Sequence, residues 1–259
     1  MSVDVYLVDA FSDRAFSGNP AGVVLLPGFR DPEWMQAVAA ELKHSETAFV
    51  QIGAEDQDEA LPLRWFTPET EVDLCGHATL AAAHVLGGSQ RFTTRSGELR
   101  CVSTGGGWVE MDFPADPPSR VDGVPPTGLP EVTVTGIGMG REDLLVEVAS
   151  PAEVRALRPD LAALASLPGR GVIFTAEETA GEADFVSRCF YPKQGIPEDP
   201  VTGSAHCVLA GWWSERLGRS SLLGEQVSAR GGRVRLELEG ERVRLGGRAV
   251  TVLRGSLYA

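Results

Sequence analysis

The chemistry legible in this sequence centres on a glutamate, a cysteine, a histidine and an aspartate. Asp73-Leu74-Cys75-Gly76-His77-Ala78-Thr79 and Glu198-Asp199-Pro200-Val201-Thr202-Gly203-Ser204-Ala205 each lead through a glycine into a small, apolar run that reads as a helix start. A helix start presents N–H groups without intrahelical partners and the positive end of the helix dipole. Glycine at that point lets a ligand approach the backbone. The starts at Gly76 and Gly203 therefore suit an anion, most simply a substrate carboxylate. Cys75 and His77 at the one, and Asp199 at the other, would bring unlike polar groups to a shared cleft. Glu46, in His44-Ser45-Glu46-Thr47, falls where a helix joins an apolar strand. Partial burial there raises a glutamate pKa toward neutrality, which suits general acid/base work. Two ordinary Gly-started helices and a surface glutamate would show the same spacings, so the residues alone leave both readings open.

The elements that must position these groups repeat. Val3–Ala10 alternates as a strand, a Gly18-Asn19-Pro20 turn follows, and Val23–Leu26 returns. Later, Val132–Val134 and Leu144–Val148 do the same around a Gly-rich turn. A helix follows in each half, opened by Asp31-Pro32 and by Ser150-Pro151, both good N-cap pairs. Short strands come next, at Thr47–Ile52 and Val172–Thr175. Arg64-Trp65-Phe66-Thr67-Pro68 then matches Arg188-Cys189-Phe190-Tyr191-Pro192, and each R-x-F-x-P precedes one of the Gly-started helices. Those helices are expected to stop near Gly87-Gly88 and Gly218. Strand pairs at Phe92–Phe113 and Gln226–Leu245 close the halves, and Ala249–Leu257 forms a last strand. The Pro-rich stretch from Pro114 to Pro130 cannot continue a helix or a central strand, so it reads as the connector. The expected halves are 1–115 and 116–246, with 247–259 rejoining the first and the active site in the cleft between them. In this duplication Glu46 faces a glycine, Gly171, in the second half.

Composition narrows the function. Asp and Glu outnumber Lys and Arg by 36 to 23, a net charge of −13. Nucleic-acid binding runs on Lys and Arg neutralising phosphates, and polybasic membrane contact needs the same charges, so neither partner is expected. No apolar run approaches the roughly 20 residues of a membrane span, and the first residues carry neither a basic region nor an apolar signal core. Four cysteines without a CxxC pair form neither a disulfide scaffold nor a structural zinc site. A cytoplasmic location is expected. A metal held by His77, His84, His206 and Cys207 would need two helices to cross at one point, and no metal is expected.

The motifs around Glu46, Gly76 and Gly203, with Asp9-Ala10-Phe11 and Phe16-Ser17-Gly18-Asn19-Pro20-Ala21, resemble the PhzF family of phenazine-biosynthesis-like isomerases along essentially the whole chain. The resemblance implies an α+β fold like that of diaminopimelate epimerase, with two pseudo-symmetric halves, each a mostly antiparallel sheet rolled around a central helix. It implies that Glu46 is the acid/base, that His77 and Asp199 hold the substrate, and that Gly76, Gly203 and Ser204 bind its carboxylate. Asn19 and Cys75 are further candidates for substrate contact. It also implies no cofactor, a small carboxylate-bearing substrate and a homodimer.

The expected reaction is a cofactor-independent proton shift. Glu46 takes a proton from a carbon next to a carboxylate or unsaturated system and returns it to another carbon, with His77 and Asp199 as the other catalytic residues, orienting the substrate and helping to shuttle protons. Two other readings stand beside it. Cys75-Gly76 lies where the epimerases carry one of two catalytic thiols, with Asp199 near the place of the other, so a thiol-dependent epimerase is one alternative. A non-catalytic binding protein on the same fold is the second.

Overall fold

The computed structural model describes residues 2–53, 59–122 and 131–258. Pro125, Pro126 and Pro130 of the expected connector lie outside the described residues. The chain forms two compact units, Met1–Asp112 with Gly246–Ala259, and Phe113–Leu245.

The N-terminal unit runs β1 (Ser2–Ala10), β2 (Asn19–Leu26), α1 (Pro32–Leu42), β3 (Glu46–Gln51), β4 (Leu61–Phe66), β5 (Glu71–Val72), α2 (Gly76–Leu86), β6 (Gln90–Thr94), β7 (Gly97–Gly105) and β8 (Trp108–Pro114). The C-terminal unit runs β9 (Ser119–Arg120), β10 (Val134–Met139), β11 (Asp143–Val148), α3 (Pro151–Ala156), α4 (Leu161–Ala165), β12 (Gly171–Glu177), β13 (Phe185–Tyr191), β14 (Ile196–Asp199), α5 (Gly203–Leu217), β15 (Ser221–Gln226) and β16 (Gly232–Glu239). The last strand, β17 (Arg242–Tyr258), starts in the C-terminal unit and finishes in the N-terminal one.

In the N-terminal unit β1 pairs with β2, β3 with β4, β6 with β7 and β7 with β8, all antiparallel. The pairs β2–β3 and β4–β6 are parallel, because α1 and α2 supply the crossovers. β17 pairs with β1 and with β8, which closes a ring of eight strands. α2 packs on β1, β2 and β3. Its residues His77 to Ala83 are all buried, as expected of a helix apolar on every side. The sheet comes so close that a Cβ on Gly247 would lie 2.5 Å from the Phe11 ring and 2.6 Å from Leu80. α1 covers the other face through Met35, Val38 and Ala39 against Phe49 and Phe66.

The C-terminal unit repeats this plan. β11–β12 and β13–β15 are its parallel pairs, and β10–β11, β12–β13 and β15–β16 are antiparallel. The fold is α+β, with a rolled, mostly antiparallel sheet and a central helix in each unit. The R-x-F repeat has a physical basis. Phe49 stands opposite Arg64, and Phe174 opposite Arg188. Arg64 grips Glu71 through two hydrogen bonds of 2.7 Å, and Arg188 grips Glu198 at 2.7 and 2.8 Å. Phe66 meets Phe49 edge-on at 5.5 Å, and Phe190 meets Phe174 at 5.9 Å.

Several details differ from the sequence reading. The second half carries two short helices rather than one, because Pro159 breaks the chain between them and Asp160 caps the second. Asp31 makes no side-chain cap bond, whereas Ser150 does. Residues 90–114 form three strands, and the final strand is continuous from Arg242. Gly136 and Gly138 lie inside β10 rather than in a turn. Their missing side chains admit Trp212, whose ring atoms would stand 2.9 and 2.8 Å from a Cβ at these positions. Both Trp212 and Trp213 are core residues.

Candidate active site

Glu46 is the first residue of β3, held in place by the parallel pairing with Ala21 of β2. Its side chain is 16% exposed. The central helix α2 begins 30 residues later, with Cys75 as its extended N-cap residue and His77 in the first turn. The His77 ring bridges the two segments. Its Nδ1 lies 3.4 Å from Cys75 Sγ, and its Nε2 lies 3.4 Å from Glu46 Oε2 and 3.3 Å from Ser45 Oγ. Ser45 Oγ also reaches Asn19 Oδ1 at 3.5 Å. Thr79 Oγ1 donates to the Cys75 carbonyl at 2.6 Å and fixes the helix start. The fold thus gathers Glu46, Cys75, His77 and Asn19, with Gly76 opening the helix beside them.

Burial pushes the Glu46 carboxyl above the ordinary glutamate range, because its charged form loses hydration. Hydrogen bonds from Ser45 and Cys75 to the carboxylate offset part of this. The result is a carboxylate with raised basicity, next to a thiol and an imidazole, at the mouth of a helix N-terminus. The Cys75 side chain does not cap α2, and the first turn of the helix carries no acidic residue. α5 is uncapped in the same way, while the short helices α3 and α4 have ordinary Ser150 and Asp160 caps. The two central helices therefore keep the character of anion-binding starts.

In the C-terminal unit Asp199 ends β14 and is buried. It accepts a short hydrogen bond from Thr202 Oγ1. Gln226 braces this turn, donating to the Asp199 carbonyl at 2.7 Å and accepting from Thr202 N–H at 2.9 Å. Gly203 opens α5, and the exposed Ser204 accepts from Arg170 Nη2 at 3.1 Å.

The strand registers show what the duplication did at each position. Trp65 pairs with Val72, and its counterpart Cys189 pairs with Asp199. Asp199 is therefore the counterpart of Val72. The residue that matches Cys75, the N-cap of the central helix, is Thr202 and not Asp199. This corrects the expectation that Asp199 takes the place of a second thiol. Glu46 does correspond to Gly171, and a Cβ at Gly171 would sit 2.2 Å from the Tyr191 ring. Where the first unit places Glu46, Ser45 and His77, the second has a salt bridge. Arg170 binds Asp143 at 3.1 and 2.8 Å, and Tyr191 and Ser204 lie against the pair. The cluster of Glu46, Ser45 and His77 is unduplicated.

Ser45, Arg170, Thr202 and Gln226 were not picked out from the sequence. Ser45 had a signal in its adjacency to Glu46. Arg170 and Gln226 had none, since their partners lie 27 and 24 or more residues away.

With this geometry in view, the comparisons define the class. The chain matches the phenazine biosynthesis-like (PhzC-PhzF) family over residues 8–255 and belongs to it. An uncharacterized isomerase of Pseudomonas aeruginosa is 49% identical, with 99% of each chain covered. The crystal structure of a PhzF-family phenazine biosynthesis protein from Enterococcus faecalis is similar with a TM-score of 0.93 and 40% identity, covering 100% of both chains. A hydroxyproline epimerase from Agrobacterium vitis shares the fold alone, at 12% identity and a TM-score of 0.62, over 99% of this chain and 92% of that one. Among the described residues, no helix is long and apolar enough to cross a membrane.

Proposed function

We propose that this protein is an isomerase that shifts a proton on a small, carboxylate-bearing substrate, with Glu46 as the acid/base. The observation that carries this reading is the mostly buried Glu46 carboxyl set against His77, Cys75 and Ser45, where lost hydration favours its protonated form. As the carboxylate, Glu46 takes a proton from a carbon made acidic by its neighbouring group. The C–H electron pair passes into that group, where helix-start N–H donors stabilise the developing charge. The protonated Glu46 then gives the proton to a second carbon of the same substrate. This proton shift calls on no cofactor. A positioned acid/base group contributes about 10²–10⁴ in rate. His77 holds the Glu46 carboxylate and orients the substrate, and Asn19 acts through Ser45. Substrate contacts are proposed also for Asp199, Gly203 and Ser204, and Asp199→Asn tests the first of these by its effect on KM.

The contact of Cys75 with His77 supports a second reading, in which the thiol takes the proton. Thr202 at the matching place means that such a reaction lacks a second thiol. Isotope exchange in deuterium oxide over a panel of small carboxylic acids separates the readings. Glu46→Gln abolishing exchange while Cys75→Ala retains it supports the glutamate. The opposite pattern supports the thiol.

A further inference from the structure

Three unlike donor atoms converge in the N-terminal unit: a carboxylate oxygen of Glu46, Sγ of Cys75 and a ring nitrogen of His77, all within 4.8 Å of one another. We propose that this cluster is also a binding site for a soft divalent cation, Zn2+ foremost, and that the bound ion arrests proton transfer. The second half of that statement rests on the reading of Glu46 as the acid/base.

Thiolate, imidazole and carboxylate together are a zinc ligand set rather than one for magnesium or calcium. Metal–donor bonds of about 2.0–2.3 Å at tetrahedral angles put neighbouring donors about 3.3–3.7 Å apart. Cys75 Sγ and His77 Nδ1 already stand 3.4 Å apart. With Nδ1 on the ion, Nε2 keeps Ser45 Oγ at 3.3 Å as its outer partner, which fixes the ring as metal-bound histidines require. Glu46 Oε2, which stands 3.4 Å from Nε2, turns away from that nitrogen toward the Nδ1 and Sγ side to join the ion. The supporting backbone is well held, with Cys75 as the N-cap of α2 and His77 in its first turn, the Cys75 carbonyl tied to Thr79, and Glu46 paired within the sheet. Three protein donors leave a fourth position for water or a substrate carboxylate, as in open rather than structural zinc sites. A Glu46 carboxylate engaged by the ion cannot accept a proton from carbon, and a coordinated Cys75 is no longer a thiol. The ion is therefore an inhibitor that competes for the groups the reaction uses.

Cobalt(II) reports on this directly, because a thiolate ligand gives a charge-transfer band that other donors do not. Titration of the full-length protein with Co2+ is expected to develop that band at one equivalent, with Zn2+ displacing it. Cys75→Ser is expected to lose the band, and His77→Gln to weaken binding at least about tenfold, with both variants checked as folded by circular dichroism. Solvent exchange into substrate is expected to fall in step with Zn2+ occupancy and to return with a chelator. Absence of the band, or an unchanged band in Cys75→Ser, overturns the site. If Co2+ binds but Glu46→Gln retains exchange, the acid/base reading fails while the metal site stands. If Glu46→Gln abolishes exchange but Co2+ does not bind, the reverse holds.

Discussion

His206 ties the stability of this protein to pH. It is completely buried in α5, its Nδ1 lies 2.7 Å from the Thr202 carbonyl, and its Nε2 has no hydrogen-bond partner among the described residues. The imidazole is therefore neutral, with the proton on Nδ1. Burial lowers its pKa from 6.5 to about 4, against a smaller upward push from the Thr202 hydrogen bond. The unfolded chain takes up the proton first as pH falls, so stability is full above pH 6.5 and drains away as pH drops toward 4. At about 1.4 kcal/mol per pKa unit, the loss between pH 7 and pH 4 is about 3 kcal/mol from this one residue. The assay is urea unfolding of the wild type and of His206→Gln across that range. Carboxylates shared by both proteins cancel in the comparison. Whatever the variant loses at pH 7, the gap between the two curves should shrink by about 3 kcal/mol on acidification. Parallel curves would show that the folded protein tolerates a charged His206, and the reasoning from burial would be refuted.

Other consequences can be checked in the same way. Glu46→Gln should raise the thermal midpoint at pH 7, because a carboxyl with a raised folded pKa has its stabilising form below the unfolded pKa and loses it as pH rises through the folded one; the gain should vanish at low pH. The same shift puts the acid limb of the wild-type activity profile above the ordinary glutamate range, read from initial rates against pH. Gly171→Ala should destabilise by about 1–3 kcal/mol, since the new methyl meets the Tyr191 ring at 2.2 Å; denaturant midpoints decide this. Glu198→Ala should cost about 3 kcal/mol by removing the carboxylate that pairs with the buried Arg188 guanidinium, which keeps the Val154 and Leu157 carbonyls and the Phe190 ring, again read from denaturant unfolding. Iodoacetamide should label Cys75 before any other cysteine. Burial pushes Cys101 and Cys207 up to about 12 and Cys189 well above the usual thiol value, and peptide mass mapping reads the order.

Much of the duplicated plan was legible because it is written locally. Gly87 and Gly218 close helices, and Arg64-Trp65-Phe66 repeats as Arg188-Cys189-Phe190. The correspondence of Glu46 with Gly171 could be read from the chain and is seen in the strand registers. What escaped depends on contacts distant in sequence. Gly136 and Gly138 looked like a turn because glycine usually marks one, whereas here the Trp212 ring, over 70 residues on, claims the space their side chains would fill. The counterpart of Cys75 was misplaced by three residues because β14 and the turn to Thr202 leave no periodic trace. Arg170 was invisible as a site residue because its meaning lies in Asp143 and Ser204, neither of them near it in the chain.

The central claim is that one carboxyl group, Glu46, carries a proton from one carbon of the substrate to another. It is tested most directly with a substrate deuterated at the carbon that loses its hydrogen, converted in ordinary water under single-turnover conditions. Product carrying part of that deuterium at the new carbon, with conversion lost in Glu46→Gln, is the predicted result. Conversion by Glu46→Gln at the wild-type rate would contradict the account.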